Sequence, residues 1–197
     1  TDADTDADTD ADTGPTGDTG GMAMAPGLVI TAVYDGPLPG GTPKGVELYV
    51  VTGGDIGVCG IGSANNGGGS DGEEFTFPSG AVSAGQYLYV GSENTEFTNF
   101  FGFAPTYTTL AMSINGDDAI ELFCNQQVVD VFGDINVDGT GQPWEHLDGW
   151  AYRNNGTGPD GSTFQLASWS FSGINALDNE SDNATAATPV PTGTYTP

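Results

Sequence analysis

The densest chemical pattern in the chain is Asp134-Ile135-Asn136-Val137-Asp138-Gly139-Thr140, closed five residues later by Glu145. It fits the D-x-[DN]-x-[DN]-G-x5-E spacing of a calcium loop. Calcium takes about six to eight hard oxygens from a flexible loop. Asp134, Asn136 and Asp138 would supply side-chain oxygens and Thr140 its carbonyl. Gly139 would allow the sharp turn, and Glu145 would close the shell with both carboxylate oxygens. Three departures set the loop apart from a helix-flanked hand. No helical pattern borders it, Gly141 stands where an apolar residue is usual, and Pro143 sits late in the loop. The pattern therefore reads either as a calcium loop on a β-scaffold or as an Asx-rich surface turn without a ligand.

Other reactive constellations are thin. His146 is the single histidine, and no G-x-S-x-G nucleophile turn accompanies it. One histidine and two cysteines do not make a zinc site of the usual ligands. Carboxylate pairs suited to glycoside hydrolysis carry little information in a chain with 27 acidic residues. Trp144, Trp150, Tyr152 and Trp169 read as core and end caps, or alternatively as a sugar-binding platform. The expectation is a protein that is not an enzyme.

The charge balance excludes further classes. Against the 27 acids stand two basic residues, Lys44 and Arg153, for a net charge of −25. Phosphate backbones and anionic membrane surfaces both require lysine and arginine, so neither nucleic acid nor a membrane is an expected partner. No apolar run approaches the roughly 20 residues of a membrane span. Numbering that starts inside a repeat suggests a processed, secreted chain. In that setting Cys59 and Cys124 are expected to form a disulfide, closing a loop of about 65 residues worth roughly 4 kcal/mol. The other reading is two separate buried thiols. Asn155, Asn179 and Asn183 each begin an N-x-[ST] sequon, which places them on surface loops.

These groups must be held by a scaffold, and its pattern is β throughout. Residues 1–21 form an acidic low-complexity arm that opens with three Thr-Asp-Ala-Asp repeats. By composition it is a solvated stalk. By periodicity it is a strand with aspartates on one face and Thr/Ala on the other. Residues 22–178 carry short alternating runs, among them LVITAVY (28–34), GVELYVV (45–51), DAIELFC (118–124) and QVVDVF (127–132). The last two flank Asn125-Gln126 as a hairpin. The alternation puts Val46, Leu48, Ile120, Leu122, Val129, Val131 and Trp169 in the core. TNFFGF (98–103) is expected to cover an open end. Residues 179–197 read as a Thr/Pro/Ala-rich tail. Short strands with Gly-rich turns predict a sandwich or barrel.

VELYV, GDDAIELFCNQQVVDVFG (116–133) and WEHLDGWAYR (144–153) resemble the lamin-tail domain in its bacterial extracellular versions. The resemblance spans about Leu28 to Asp178. It implies an all-β, immunoglobulin-like β-sandwich with Gly-rich loops and an extended N-terminal arm, used as a binding or structural module. Ala32 departs from the family pattern, where an acidic residue is common. No enzyme domain accompanies the sandwich, so no hydrolase activity carries over. The layout of arm plus sandwich is also similar to strand-exchanging bacterial fibre subunits. The resulting expectation is an extracellular homopolymer subunit whose arm contacts a neighbouring copy. The alternative is a calcium-dependent adhesin or carbohydrate-binding module.

Overall fold

The computed structural model describes residues 24–197. The 1–21 arm lies outside the described residues, and so does its strand-like alternation. The long apolar run after Pro26 has no hydrophilic face, and it becomes β1 (Gly27–Leu38), buried on both sides. A turn at Pro39–Gly41 returns the chain as β2 (Thr42–Thr52). There follow β3 (Gly54–Asp55), β4 (Cys59–Ala64), β5 (Phe75–Thr76), β6 (Ala81–Val82), β7 (Tyr87–Gly91), the helix α1 (Thr95–Phe101) and β8 (Tyr107–Thr108). The chain continues as β9 (Ala119–Cys124), β10 (Gln127–Phe132), β11 (Trp150–Arg153) and β12 (Trp169–Phe171).

Two sheets share the core. One has strand order β12-β11-β1-β2-β7-β8 and the other β10-β9-β4-β5, while β3 and β6 form a small separate pair. Their facing sides bring Leu28, Ile30, Val46, Leu48, Val50 and Trp169 against Ile61, Ile120, Leu122 and Phe132. The fold is all-β with a sandwich-like arrangement. Cys59 and Cys124 are directly opposed on β4 and β9 and are disulfide-bonded. This bond staples two strands of one sheet and does not cross the sandwich.

Two bulges set the chemistry. In β10 the pairing with β9 slips between Val128 and Asp130. A one-residue slip exchanges the two faces of a strand. Asp130 and Phe132 therefore point between the sheets. Val131 is buried on the opposite face, and Val129 is only partly buried. The alternation read from sequence placed Val129 and Val131 in the core; Val131 is buried and Val129 packs half-buried against the core cluster, while the bulge adds Asp130 and Phe132 to the face between the sheets. In β1 a slip between Ile30 and Ala32 sets Thr31 aside as the extra residue.

The outer face of the six-stranded sheet is also covered. Val29, Ala32, Tyr34 and Tyr152 pack against Phe97 and Phe100 of α1 and against Leu177, Ala186, Val190 and Tyr195. TNFFGF is thus largely helical and covers a sheet face rather than an open end. Gly102 ends the helix with φ of 77°, a left-handed cap that glycine adopts without strain. Residues 179–197 do not hang free of the domain. Val190 and Tyr195 are buried in it, and the Tyr87 hydroxyl donates to the Tyr195 carbonyl.

Candidate functional site

Residues 133–149 form the loop between β10 and β11, and its carboxylates serve largely its own backbone. Asp134 Oδ1 accepts from Asn136 N at 3.0 Å, and Asp138 Oδ1 from Thr140 N at 2.9 Å. Glu145 Oε2 accepts from Gly141 N at 2.7 Å. The Asp134 and Asp138 bonds are Asx-type turns, and the Thr140 bonds hold the Asp138 carboxyl below its ordinary pKa. Thr140 Oγ1 donates to Asp117 Oδ2 at 2.9 Å, and the other Asp117 oxygen is buried without a partner. Among the described residues, no three His, Cys, Asp or Glu side chains are grouped as metal ligands.

His146 follows directly and is fully buried, edge-on to Phe132. Its Nδ1 lies 3.3 Å from the Trp144 carbonyl, and Nε2 has no partner. Burial pushes the imidazole down to about 4, against smaller upward pulls from the Trp144 carbonyl and Asp117. A histidine closed off in this way has no access to a substrate. It does have a pH consequence. Its folded pKa lies below its unfolded value of about 6.5, so the stability from keeping it neutral is full above that value. It is lost as pH falls toward about 4, on the order of 3 kcal/mol in total. Denaturant titrations of wild type and His146→Phe at pH 7 and pH 4 should show the stability difference between them shift by that order toward the variant. An equal difference at both pH values would refute the assignment.

The aromatic residues divide. Trp144 and Trp169 belong to the core, and Tyr152 to the outer cluster. Trp150 is half-buried, and its Nε1 donates to the Thr188 carbonyl. Of the sequon residues, Asn155 and Asn179 are exposed. Asn183 pairs both amide atoms with the Val190 backbone, so a glycan on its Nδ2 would have to displace that pair.

The buried polar groups that carry the fold lie elsewhere, on strands. Arg153 ends β11 with no exposed side-chain surface. Its NH2 nitrogen reaches both Asp130 oxygens at 2.9 and 2.8 Å, and its NH1 nitrogen reaches Asp160 Oδ2 at 2.7 Å. Its Nε donates to the Ile30 carbonyl at 2.6 Å, and Asp130 Oδ2 accepts from Ile30 N at 2.8 Å. Pairing between β1 and β11 begins only at Ala32. The two side chains therefore take the place of a strand partner for Ile30. The guanidinium also stacks 4.5 Å from the Trp169 ring centroid. Burial pushes the Asp130 carboxyl up, opposed chiefly by Arg153.

A second buried carboxylate, Glu47, sits on the outer face of β2. Thr31 Oγ1 and the Tyr152 hydroxyl donate to its Oε1 at 2.7 and 3.1 Å, and Gly193 N donates to Oε2 at 2.7 Å. It joins the β1 bulge, β11 and the C-terminal segment at one point, and burial raises its pKa. Sequence reasoning missed both centres. The available signal was a charge inside an otherwise apolar strand, in VELYV, QVVDVF and WAYR.

Comparison with protein-family profiles, curated proteins and solved structures finds no match for this chain. Its class is what the geometry defines: an all-β, disulfide-bonded module with charged cross-ties buried between and outside its sheets.

Proposed function

We propose that the chain is a non-catalytic structural module of extracellular material, an immunoglobulin-like sandwich of the lamin-tail type. It serves as a subunit of a surface fibre in which residues 1–21 lie against a neighbouring copy. One observation carries the reading: both basic side chains are spent as internal ties. Arg153 is enclosed between β1, β10 and β11, and Lys44 reaches from β2 to residues 114–115. Charges bonded to backbone on neighbouring elements fix a shape, whereas recognition sites present such groups to a ligand. The intrasheet disulfide and the C-terminal strap over β2 support the same reading. No helix among the described residues is long and apolar enough to cross a membrane.

Strands β10 and β12 end their sheets. An open edge can accept a strand from another chain through main-chain bonds that tolerate small side chains. Repeated head to tail, such a contact does not close and gives a filament. Full-length protein and a 22–197 truncation should be compared by sedimentation and negative-stain microscopy at high concentration with calcium present. Filaments from the full chain alone are expected. Filaments from the truncation, or a monomeric full chain, would refute the proposal.

A second reading, a calcium-dependent binding module, is favoured by the unpartnered buried oxygen of Asp117 beside the 134–145 loop. On that reading, free calcium at 100 times its dissociation constant adds about 2.7 kcal/mol to stability. Melting curves would show the rise, and Asp134→Ala would remove it. A curve unmoved by millimolar calcium rejects this reading.

A further inference from the structure

The chain has one lysine, and its ammonium is held among three acceptors. Lys44 Nζ lies 2.6 Å from the Ile114 carbonyl oxygen, 3.1 Å from Asn115 Oδ1 and 3.4 Å from Asp35 Oδ1. The Lys44 side chain is 15% exposed and that of Asp35 3%. Asp35 Oδ1 has no hydrogen-bond partner beyond the ammonium it faces. Its other oxygen accepts from Gly116 N at 3.1 Å and Asp148 N at 3.4 Å, which fixes the carboxyl in place. An amine, a carboxamide and a buried carboxylate thus converge from β2, the 115–118 turn and β1. From this geometry we infer that Lys44 and Asn115 form an intramolecular isopeptide bond, with Asp35 relaying the protons.

The step balances without any co-reactant. Nζ gives one proton to Asp35, and the free amine adds to the side-chain carbonyl carbon of Asn115, forming the new C–N bond. Asp35 passes that proton to Nδ2 and takes the second Nζ proton as the C–Nδ2 bond breaks. Ammonia departs, takes up that second proton and leaves as ammonium, carrying off the lysine's charge. Asp35 ends as it began. Burial raises the Asp35 carboxyl, with Lys44 the main opposing influence, and a raised carboxylate is a better proton acceptor. Held geometry supplies the effective concentration that a free amine and amide lack. Asn115 is exposed, and a groove lined by Thr42, Lys44 and Ser113 opens beside it, so the leaving nitrogen has a path to water.

Asn115 precedes a glycine, and its own competing nucleophile is Gly116 N, which would close a succinimide. That nitrogen is turned into Asp35 Oδ2, and Gly116 is packed against the Leu147 backbone so closely that a Cβ would not fit. The lysine is therefore the group placed to react. The bond would tie β2 in one sheet to the turn that leads into β9 in the other. It does not depend on the fibre reading, since a monomeric module would carry it equally.

The test is the intact mass of the reduced full chain, followed by amine acylation under denaturing conditions. The expected product is lighter than its sequence by one ammonia and takes no acyl group at Lys44. Glu-C digestion of it yields a branched peptide joining the segments around residues 44 and 115. Lys44→Arg, which keeps a cation beside Asp35, should restore the full mass. A wild-type chain of unreduced mass with an acylated Lys44 overturns the proposal. So does loss of ammonia with Lys44 still acylated, the mark of a succinimide at an Asn-Gly step, or a loss that persists in Lys44→Arg.

Discussion

Replacing Arg153 with methionine should cost about 3–5 kcal/mol of unfolding free energy, the penalty for removing one member of a buried ion pair. The loss is concentrated at one point. Asp130 would stay buried without its cation, the Ile30 carbonyl would lose the Nε donor at 2.6 Å, and the Trp169 face would lose its stacked guanidinium. This is the seam where β10 of one sheet meets β1 of the other, so the damage falls on the contact between layers. The pH dependence has a definite sign. Burial already raises the Asp130 carboxyl, and Arg153 is the chief influence holding it down. Without Arg153 its folded pKa rises further. A raised folded pKa means stability present at low pH and lost as pH rises through it. The deficit of Arg153→Met relative to wild type should therefore shrink on acidification from neutral pH. A second change, Asp130→Leu, should recover part of the loss by removing the stranded charge, though not all, because Ile30 N and Asp160 N lose their acceptor. Urea denaturation of the three proteins measures all of this. A loss below about 1 kcal/mol for Arg153→Met, the range of exposed pairs, would show that the network is not what closes the seam.

Removing the disulfide should cost roughly 4 kcal/mol, from a bond that closes a 65-residue separation. For a domain of this size that corresponds to a fall in melting temperature on the order of 10 °C. The reduced wild type should lose about that much, and the Cys59→Ala, Cys124→Ala double variant somewhat more, because the two sulfurs sit among core side chains and their removal leaves a cavity. The bond ties β4 to β9 within one sheet, whereas Arg153 ties the two sheets together. The centres share no partner, so their losses should add to within about 0.5 kcal/mol. An unchanged melting temperature after confirmed thiol release would show that the pairing between β4 and β9 needs no staple.

The short-range content of this fold was legible in the sequence. Alternation in GVELYVV marked β2 and placed Val46 and Leu48 inward, because side chains on an extended backbone change face at every residue. Asn125-Gln126, both with positive φ, marked the hairpin between β9 and β10. The Asp134–Glu145 pattern did mark a loop rich in Asx turns. Whether that loop takes calcium is a separate matter for the melting experiment.

What the tertiary structure alone decided has one common cause, the phase and partnering of strands. A single bulge in β10 turned Asp130 inward beside Val129, and no local rule foretells where an extra residue will be set aside. Once Asp130 faced inward, a low-dielectric site forced a partner upon it, and Arg153 came from a strand 23 residues away. Glu47 alternates with Val46 and Leu48 and so faces away from the core, yet it is buried. Residues 186–195 return over that face, and Gly193, 146 positions later, completes its shell. Composition made 179–197 look like a tail, because Thr, Pro and Ala predict little burial by themselves. Val190 and Tyr195 were enough to seat it, once a sheet face with an unsatisfied carboxylate lay beneath. By itself the sequence determined the strand-forming runs, the turns and the excess of acid. Which charges became internal ties depended on bulges and long-range pairings, whose energies exist only when both partners are present.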